Sequence, residues 1–252
     1  MEAEKVLEIA LSAGKILVDN GAESYRVEET VERICKSYNF ECECIAIGKG
    51  VFASVINENN QKITSFKKIG TTQVDLYRIE RINSFSRDIQ KKSISYKEAE
   101  KALKSIEEAP SFSFSVRLLG ACMTSFIYSL FFNGTIYDAA VSAIISAIIY
   151  FMLEKIRSVG FFQFFQAFFS GFIIGSLSLI AQSIFPYINE GGVITGAIMI
   201  LLPGVVLTNG IKDIIYGDFM SGIAKFCESM LVIIAVGAGI GAALALKAGG
   251  GL

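Results

Sequence analysis

Residues 198–228 read IMILLPGVVLTNGIKDIIYGDFMSGIAKFCE. The stretch opens as an apolar run fit for lipid, and Pro203-Gly204 then interrupts it. A polar segment with Lys212, Asp213 and Asp218 follows, and the chain re-enters an apolar helix carrying Lys225 and Glu228. Proline lacks the helical N–H and clashes with the preceding turn, and glycine frees the backbone at the same point. Inside a membrane, freed backbone groups persist only where protein or a water-filled cavity satisfies them. Two readings follow. A broken span beside clustered charges marks a permeation site, or the proline is a packing kink before an ordinary cytoplasmic loop.

Composition divides the rest of the chain around this stretch. Of 252 residues 52% are apolar, with a mean hydropathy of +0.52. Residues 1–110 hold most charges and read as a soluble domain; residues 111–252 hold six basic and six acidic residues and read as a membrane domain. A net charge of -1 in a mixed pattern gives no footprint for nucleic acid. The chain has no histidine, which excludes Ser-His-Asp and Cys-His catalysis, histidine metal sites and a histidine proton relay. No cofactor motif and no metal set is legible, and the chain does not read as an enzyme. Cys42 and Cys44 would share one face of a strand; free thiols and a weak metal site are the two readings. The amphipathic, acidic N-terminus is not a signal peptide.

In the soluble half, Leu7, Ala10, Leu11, Gly14, Leu17 and Val18 predict a helix over about 2–19, stopped by Asn20-Gly21. Val27, Val31, Ile34, Cys35 and Tyr38 predict a second over about 23–38, with Glu23 in its first turn. From Glu41 the period changes to two. ECECIAI, VFASVI and KITSFKKI read as three strands, with Gly48-Lys49-Gly50 and Asn57-Glu58-Asn59-Asn60 as turns. The GKG turn also admits an anion-binding reading. Two helices follow, with Asp75 as one N-cap and Ser95/Glu98 as a capping box. The half is a small α+β unit of order ααβββαα. The charged run ESYRVEETVER reads as a solvated helix face.

A span needs about 20 apolar residues. Five candidates are 116–132, 137–156, 161–185, 193–211 and 223–246, so the fold class is a five-helix transmembrane α-helical bundle preceded by the soluble α+β domain. Arg117, Lys155, Arg157 and Lys212 lie at alternate ends from the lysine- and arginine-free turns 133–135 and 186–192. The positive-inside rule then puts the N-terminal domain in the cytoplasm and the C-terminus outside the cell membrane, with Lys247 a contrary sign. Gly171 with Gly175, Gly192 with Gly196, and Gly237 with Gly241 recur at four-residue spacing and read as helix contacts, within the protomer or between subunits. Asp213 and Asp218 fall in a turn where water would solvate them. Glu228 lies inside a span near Lys225, either as a structural ion pair or as a functional carboxylate. Asp138 reads as a helix N-terminal carboxylate.

The segments ALSAGKILVDNGAESYRVEETVERIC, GKGVFASV and DLYRIERINSFSRDI running into SYKEAEKALKSIE resemble the N-terminal domain of the threonine/serine exporter family. LLPGVVLTNGIKDIIYGDFMSGIAKFCESMLV is similar to that family's PG–TN–D–GD–SG signature. The resemblance implies a secondary exporter of a small polar metabolite in a short form that works with a separate five-span partner subunit. Some short-form pairs in the family are associated with dicarboxylates. The motif positions carried over are Pro203, Gly204, Thr208, Asn209, Asp213, Gly217, Asp218, Ser221 and Gly222. Gly210 and Lys212 depart from the family, where alanine and arginine are common. On this reading Thr208 and Asn209 hydrogen-bond substrate, Lys212 attracts its carboxylate, and Asp213, Asp218 or Glu228 carries a coupling proton. A homo-oligomer could supply the missing half as well. The competing reading is a non-transporting membrane assembly subunit.

Overall fold

The computed structural model describes residues 1–48, 50–57, 59–70, 74–156 and 162–249. Lys49 of the GKG turn, Glu58 of the second turn, Arg157 of the charge-bias argument and Phe161, where the third predicted span begins, lie outside the described residues. The chain divides into two compact units, one of residues 1–110 and 205–227, the other of 111–204 and 228–252.

The first unit is built on a helical hairpin. Helix α1 (Ala3–Asp19) and helix α2 (Ser24–Ser37) bury Leu7, Leu11, Leu17, Val27, Val31 and Ile34, spaced so that each helix turns one apolar stripe inward. Each such side chain contributes about 1.5–3 kcal/mol when removed from water. Gly21 takes φ +81° between them, which glycine adopts without steric penalty. Strands β1 (Cys42–Ile47), β2 (Gly50–Ile56) and β3 (Lys62–Lys68) form an antiparallel sheet in the order 1-2-3. Ile47 opposes Gly50 at the end of the β1–β2 pairing. One sheet face buries Cys44, Ala46, Val51, Ala53 and Val55 beneath the helices, while Ile45, Phe52 and Phe66 form an exposed row on the other. Helix α3 (Leu76–Lys91) starts with the Asp75 side chain accepting from Arg78 N–H, and helix α4 (Tyr96–Glu107) with the Ser95–Glu98 capping box. Both caps form as the local sequence predicts.

Helices α5 (Phe114–Phe131), α6 (Ile136–Ile156), α7 (Gln163–Ile184) and α10 (Phe219–Ala248) are long and apolar enough to cross a membrane. Among the described residues the fold is therefore mostly helical, with four candidate spans and a small three-stranded sheet. The expected span 193–211 is not one helix. It is α8 (Glu190–Ile198) and α9 (Gly204–Ile215), parted by the non-helical residues Met199–Pro203, because the missing proline N–H and the crowding of its ring end helical continuity there. Residues 205–227, assigned by the sequence to the membrane half, pack in the first unit. Helix α10 begins in the first unit and continues in the second.

In the second unit hydroxyls share the interior with apolar side chains such as Ile149, Ile174 and Val193, and the outside is apolar as well. Ser125, Ser129, Ser142, Ser146, Ser170 and Ser178 are buried, whereas Leu119, Ile127, Ile144, Phe151, Phe165, Phe169, Leu231 and Ile234 face outward. Lipid gives no hydrophobic drive between helices, so small residues let them approach and hydroxyls join them. Ser125 and Ser146 share a hydrogen bond, and Ser129 Oγ donates to Gly192 O at 2.9 Å.

Candidate functional site

The polar half of the quoted stretch converges on the loop between α1 and α2. Residues Asn209, Gly210 and Asp213, at positions i, i+1 and i+4, occupy the buried face of α9. Gly210 and Gly222 make the crossing of α9 and α10 possible. A Cβ at Gly222 would lie 2.6 Å from Ile214 Cγ1 and 2.8 Å from Gly210 O, and one at Gly210 would lie 3.0 Å from Phe226 N. The tight turn Gly217, at φ +98°, brings the start of α10 back along α9. Lys225 thereby reaches Asp213.

Asp213 is fully buried, contrary to the solvated turn expected of it. Its Oδ1 accepts the Ser24 backbone N–H at 2.9 Å. Its Oδ2 accepts the Ser24 hydroxyl at 3.1 Å and the Lys225 ammonium at 2.7 Å. The first N–H groups of a helix have no partner in the helix, and its N-terminus favours an anion. Asp213 supplies that anion to α2, whose own N-cap residue Glu23 makes no side-chain capping bond. Lys225 Nζ also donates to Ala22 O at 3.3 Å and to Ser24 Oγ at 3.4 Å. Lys225 thus pairs with Asp213, not with Glu228.

A second layer surrounds this ion pair. Lys212 Nζ lies 3.1 Å from Glu23 Oε1, Asn209 Nδ2 donates to Gly21 O at 2.7 Å, and Ser221 Oγ donates to Ala46 O at 3.0 Å. Tyr25 and Tyr216 stack with ring centroids 4.2 Å apart. Burial pushes the Glu23 carboxyl up, but a backbone hydrogen bond, Lys212 and Arg26 outweigh it and hold the group below its ordinary value. Glu28 goes the other way. Burial raises it, the Ala46 N–H bond at 2.9 Å pulls it down, and the charges of Asp218, Glu32 and Asp213 raise it again. Asp218, in the α9–α10 connection, is raised by burial and by Asp213 against the pull of Lys225.

Of the residues singled out in the sequence, Asn209, Lys212 and Asp213 are thus brought together, with Asp218 beside them. Pro203 and Gly204 stand at the helix break, Thr208 is exposed on α9, and Glu228 is exposed on α10. The sequence reading missed Gly21, Glu23 and Ser24 as their partners. The signal available was that NGAES lies inside the stretch carrying the family resemblance. Three cysteines sit together elsewhere in this unit. The Cys35 thiol is raised by its hydrogen bond to Cys42 and by burial, which leaves it an unreactive thiol at neutral pH.

In the second unit Asp138 is buried as well. Its Oδ2 accepts Thr135 N–H and Oγ1–H, both at 2.8 Å, and its Oδ1 accepts Asn189 N–H at 2.7 Å, so one carboxylate joins the starts of α6 and α8. A Cβ at Gly171 would overlap the Val236 carbonyl oxygen, one at Gly175 would lie 2.8 Å from Ala243 Cβ, and one at Gly192 3.2 Å from Gly134 Cα. A Cβ at Gly196 would overlap Ser142 Oγ. Gly237 and Gly241 meet nothing within 4 Å; Gly239 is the α10 glycine set against α7, at the Phe168 carbonyl oxygen.

Three comparisons bear on this arrangement. The family model for threonine/serine exporters matches residues 8–247. The chain is similar to a protein named threonine/serine exporter from Corynebacterium glutamicum, 24% identical over 250 residues, a match covering 96% of this chain and 51% of that one. The chain therefore spans about half the length of this curated relative. No solved structure matches it.

Proposed function

The chain belongs to the threonine/serine exporter family, and from that membership we propose that it exports threonine or serine as part of a secondary transporter. The family is a transporter class, not an enzyme class, and with four apolar spans among the described residues the chain is a multi-pass membrane protein. The observation that carries the substrate reading is the adjacency of opposite charges on α9: Asp213, buried, beside Lys212, half-exposed. A free amino acid presents the complementary pair, an ammonium for Asp213 and a carboxylate for Lys212. A dicarboxylate offers Asp213 no donor and meets it with like charge. Asn209 adds a neutral hydrogen bond. Asp218, whose burial raises its proton affinity, is the coupling carboxylate.

Membrane arrangement belongs to the same proposal. The soluble helices and sheet lie on the cytoplasmic side of the cell membrane, α8 with α9 makes the fifth, broken crossing, and the C-terminus lies outside. A second five-span unit, from a separate subunit or another copy, completes the pathway; the outward-facing Gly237 and Gly241 support such a contact. The test is efflux from proteoliposomes loaded with labelled threonine, serine or succinate. Threonine or serine should leave and succinate should not, and Asp213→Ala should abolish flux while the protein remains inserted. Undiminished flux from that variant, or preferred succinate efflux, would overturn the assignment.

A further inference from the structure

The groups that hold the α1–α2 loop on α9 are those of a β-hydroxy-α-amino acid. Ser24 gives Asp213 an N–H at 2.9 Å and a β-hydroxyl at 3.1 Å, and Glu23 gives Lys212 a carboxylate at 3.1 Å. A free serine or threonine would present an ammonium, a β-hydroxyl and a carboxylate to the same two side chains. The hydroxyl fits on both counts, because Ser24 Oγ donates to Asp213 and accepts from Lys225, as a substrate hydroxyl can.

We propose that Glu23–Ser24 is a built-in competitor for the substrate: it occupies the recognition groups of Asp213 and Lys212, and the loop must withdraw before an amino acid can bind. This rests on the exporter reading above and deepens it. Tethering gives the loop a high effective concentration at Asp213, whereas the free substrate brings a full ammonium charge where the loop brings a neutral amide. The two are therefore matched competitors, and affinity for substrate is diluted by the fraction of molecules whose loop is docked. Lys225 stays on Asp213 in both states, so the carboxylate is never left without a counter-charge. The device holds the recognition groups covered until substrate is abundant enough to displace the loop.

The experiment is equilibrium binding of radiolabelled threonine to the detergent-solubilised full chain, wild type beside Glu23→Gln, Ser24→Ala and Asp213→Asn. Glu23→Gln removes the carboxylate charge that faces Lys212, and Ser24→Ala removes the hydroxyl that bridges Asp213 and Lys225, so each weakens the docked state and should bind threonine about tenfold more tightly than wild type. Asp213→Asn should lose binding. Lys212 is half-exposed, so Glu23→Gln is the variant least exposed to misfolding, and thermal melting of each protein checks the others. Loop variants that bind as wild type does, or more weakly, would overturn the competitor while leaving Asp213 as a substrate contact if its variant still abolishes binding. Absence of threonine binding in every protein would also overturn it. Wild-type efflux from proteoliposomes then decides separately whether the exporter reading stands.

Discussion

Asp213→Ala should release the α1–α2 loop from α9, and the effect can be read at one amide. The substitution removes the acceptor of three hydrogen bonds and strands the Lys225 ammonium, whose side chain is 24% exposed against 0% for Asp213. Removing one partner of a buried pair costs about 3–5 kcal/mol; the partial exposure of Lys225 lets water recover some of this, which places the cost at about 3 kcal/mol. The Ser24 N–H has no acceptor inside α2, so Asp213 is its protection from solvent exchange. Hydrogen–deuterium exchange on peptides covering residues 20–27 should show Ser24 exchanging about 150-fold faster in the variant, the factor that corresponds to ~3 kcal/mol. The Val27 amide, bonded to Glu23 O within the helix start, serves as internal reference. Adding Lys225→Met should recover part of the loss, because the stranded charge is then gone. A Ser24 amide that exchanges at the same rate with and without Asp213 would refute the docking argument.

Gly222→Ala drives a methyl group against Gly210 O and Ile214, and should lower stability by about 1–3 kcal/mol in thermal melting, whereas Gly237→Ala, in open space, should not. pH acts with two signs. Glu23, held below 4.5, contributes stability that is present above that value and lost as pH falls through its folded value. Glu28 and Asp218 are raised from 4.5 and 3.8, so their contribution is full below those values and lost as pH rises through the folded ones. Melting temperature should therefore rise as pH falls from neutral towards 4.5 and turn down once pH drops through the folded value of Glu23, below 4.5, and Glu28→Gln should flatten the rise. Gly237→Leu with Gly241→Leu should leave the monomer folded and abolish cross-linked assemblies; assemblies that survive would exclude the outward face of α10 as the contact.

The elements were legible wherever their cause is local. Asp75 and Ser95 cap helices three residues away, and Ile47 and Gly50 oppose each other at the end of the β1–β2 pairing. Pro203 carries its own reason for a break, although the sequence alone did not turn that break into two helices. The candidate site was legible only on one side. Asn209, Lys212 and Asp213 stand out as polar residues in an apolar run, but Ser24 is 189 residues from Asp213 and looks like an ordinary helix start. Nothing in ESYRVEETVER marks its first two residues as docked on α9 and sets them apart from the exposed charges, such as Glu29 and Glu32, that follow. Four-residue glycine spacing identifies a face without naming what it meets. Gly171 and Gly175 meet α10, while Gly237 and Gly241, equally spaced, meet open space.

Lys212 is where substrate and loop can be told apart. A lysine is a point charge and makes one bond to Glu23, whereas arginine, common at this position in the resemblance, presents a fork that binds a carboxylate twice. In Lys212→Arg the extra bond, about 1 kcal/mol or roughly fivefold, strengthens docking of the Glu23 carboxylate and of the substrate carboxylate alike. Threonine affinity should then change little, because both competitors gain. In the Glu23→Gln background the loop has no carboxylate to offer and only the substrate gains. The double variant should bind threonine roughly fivefold more tightly than Glu23→Gln alone. Equal tightening by Lys212→Arg in both backgrounds would mean that Glu23 does not compete for this cation, and the loop would be a structural latch only.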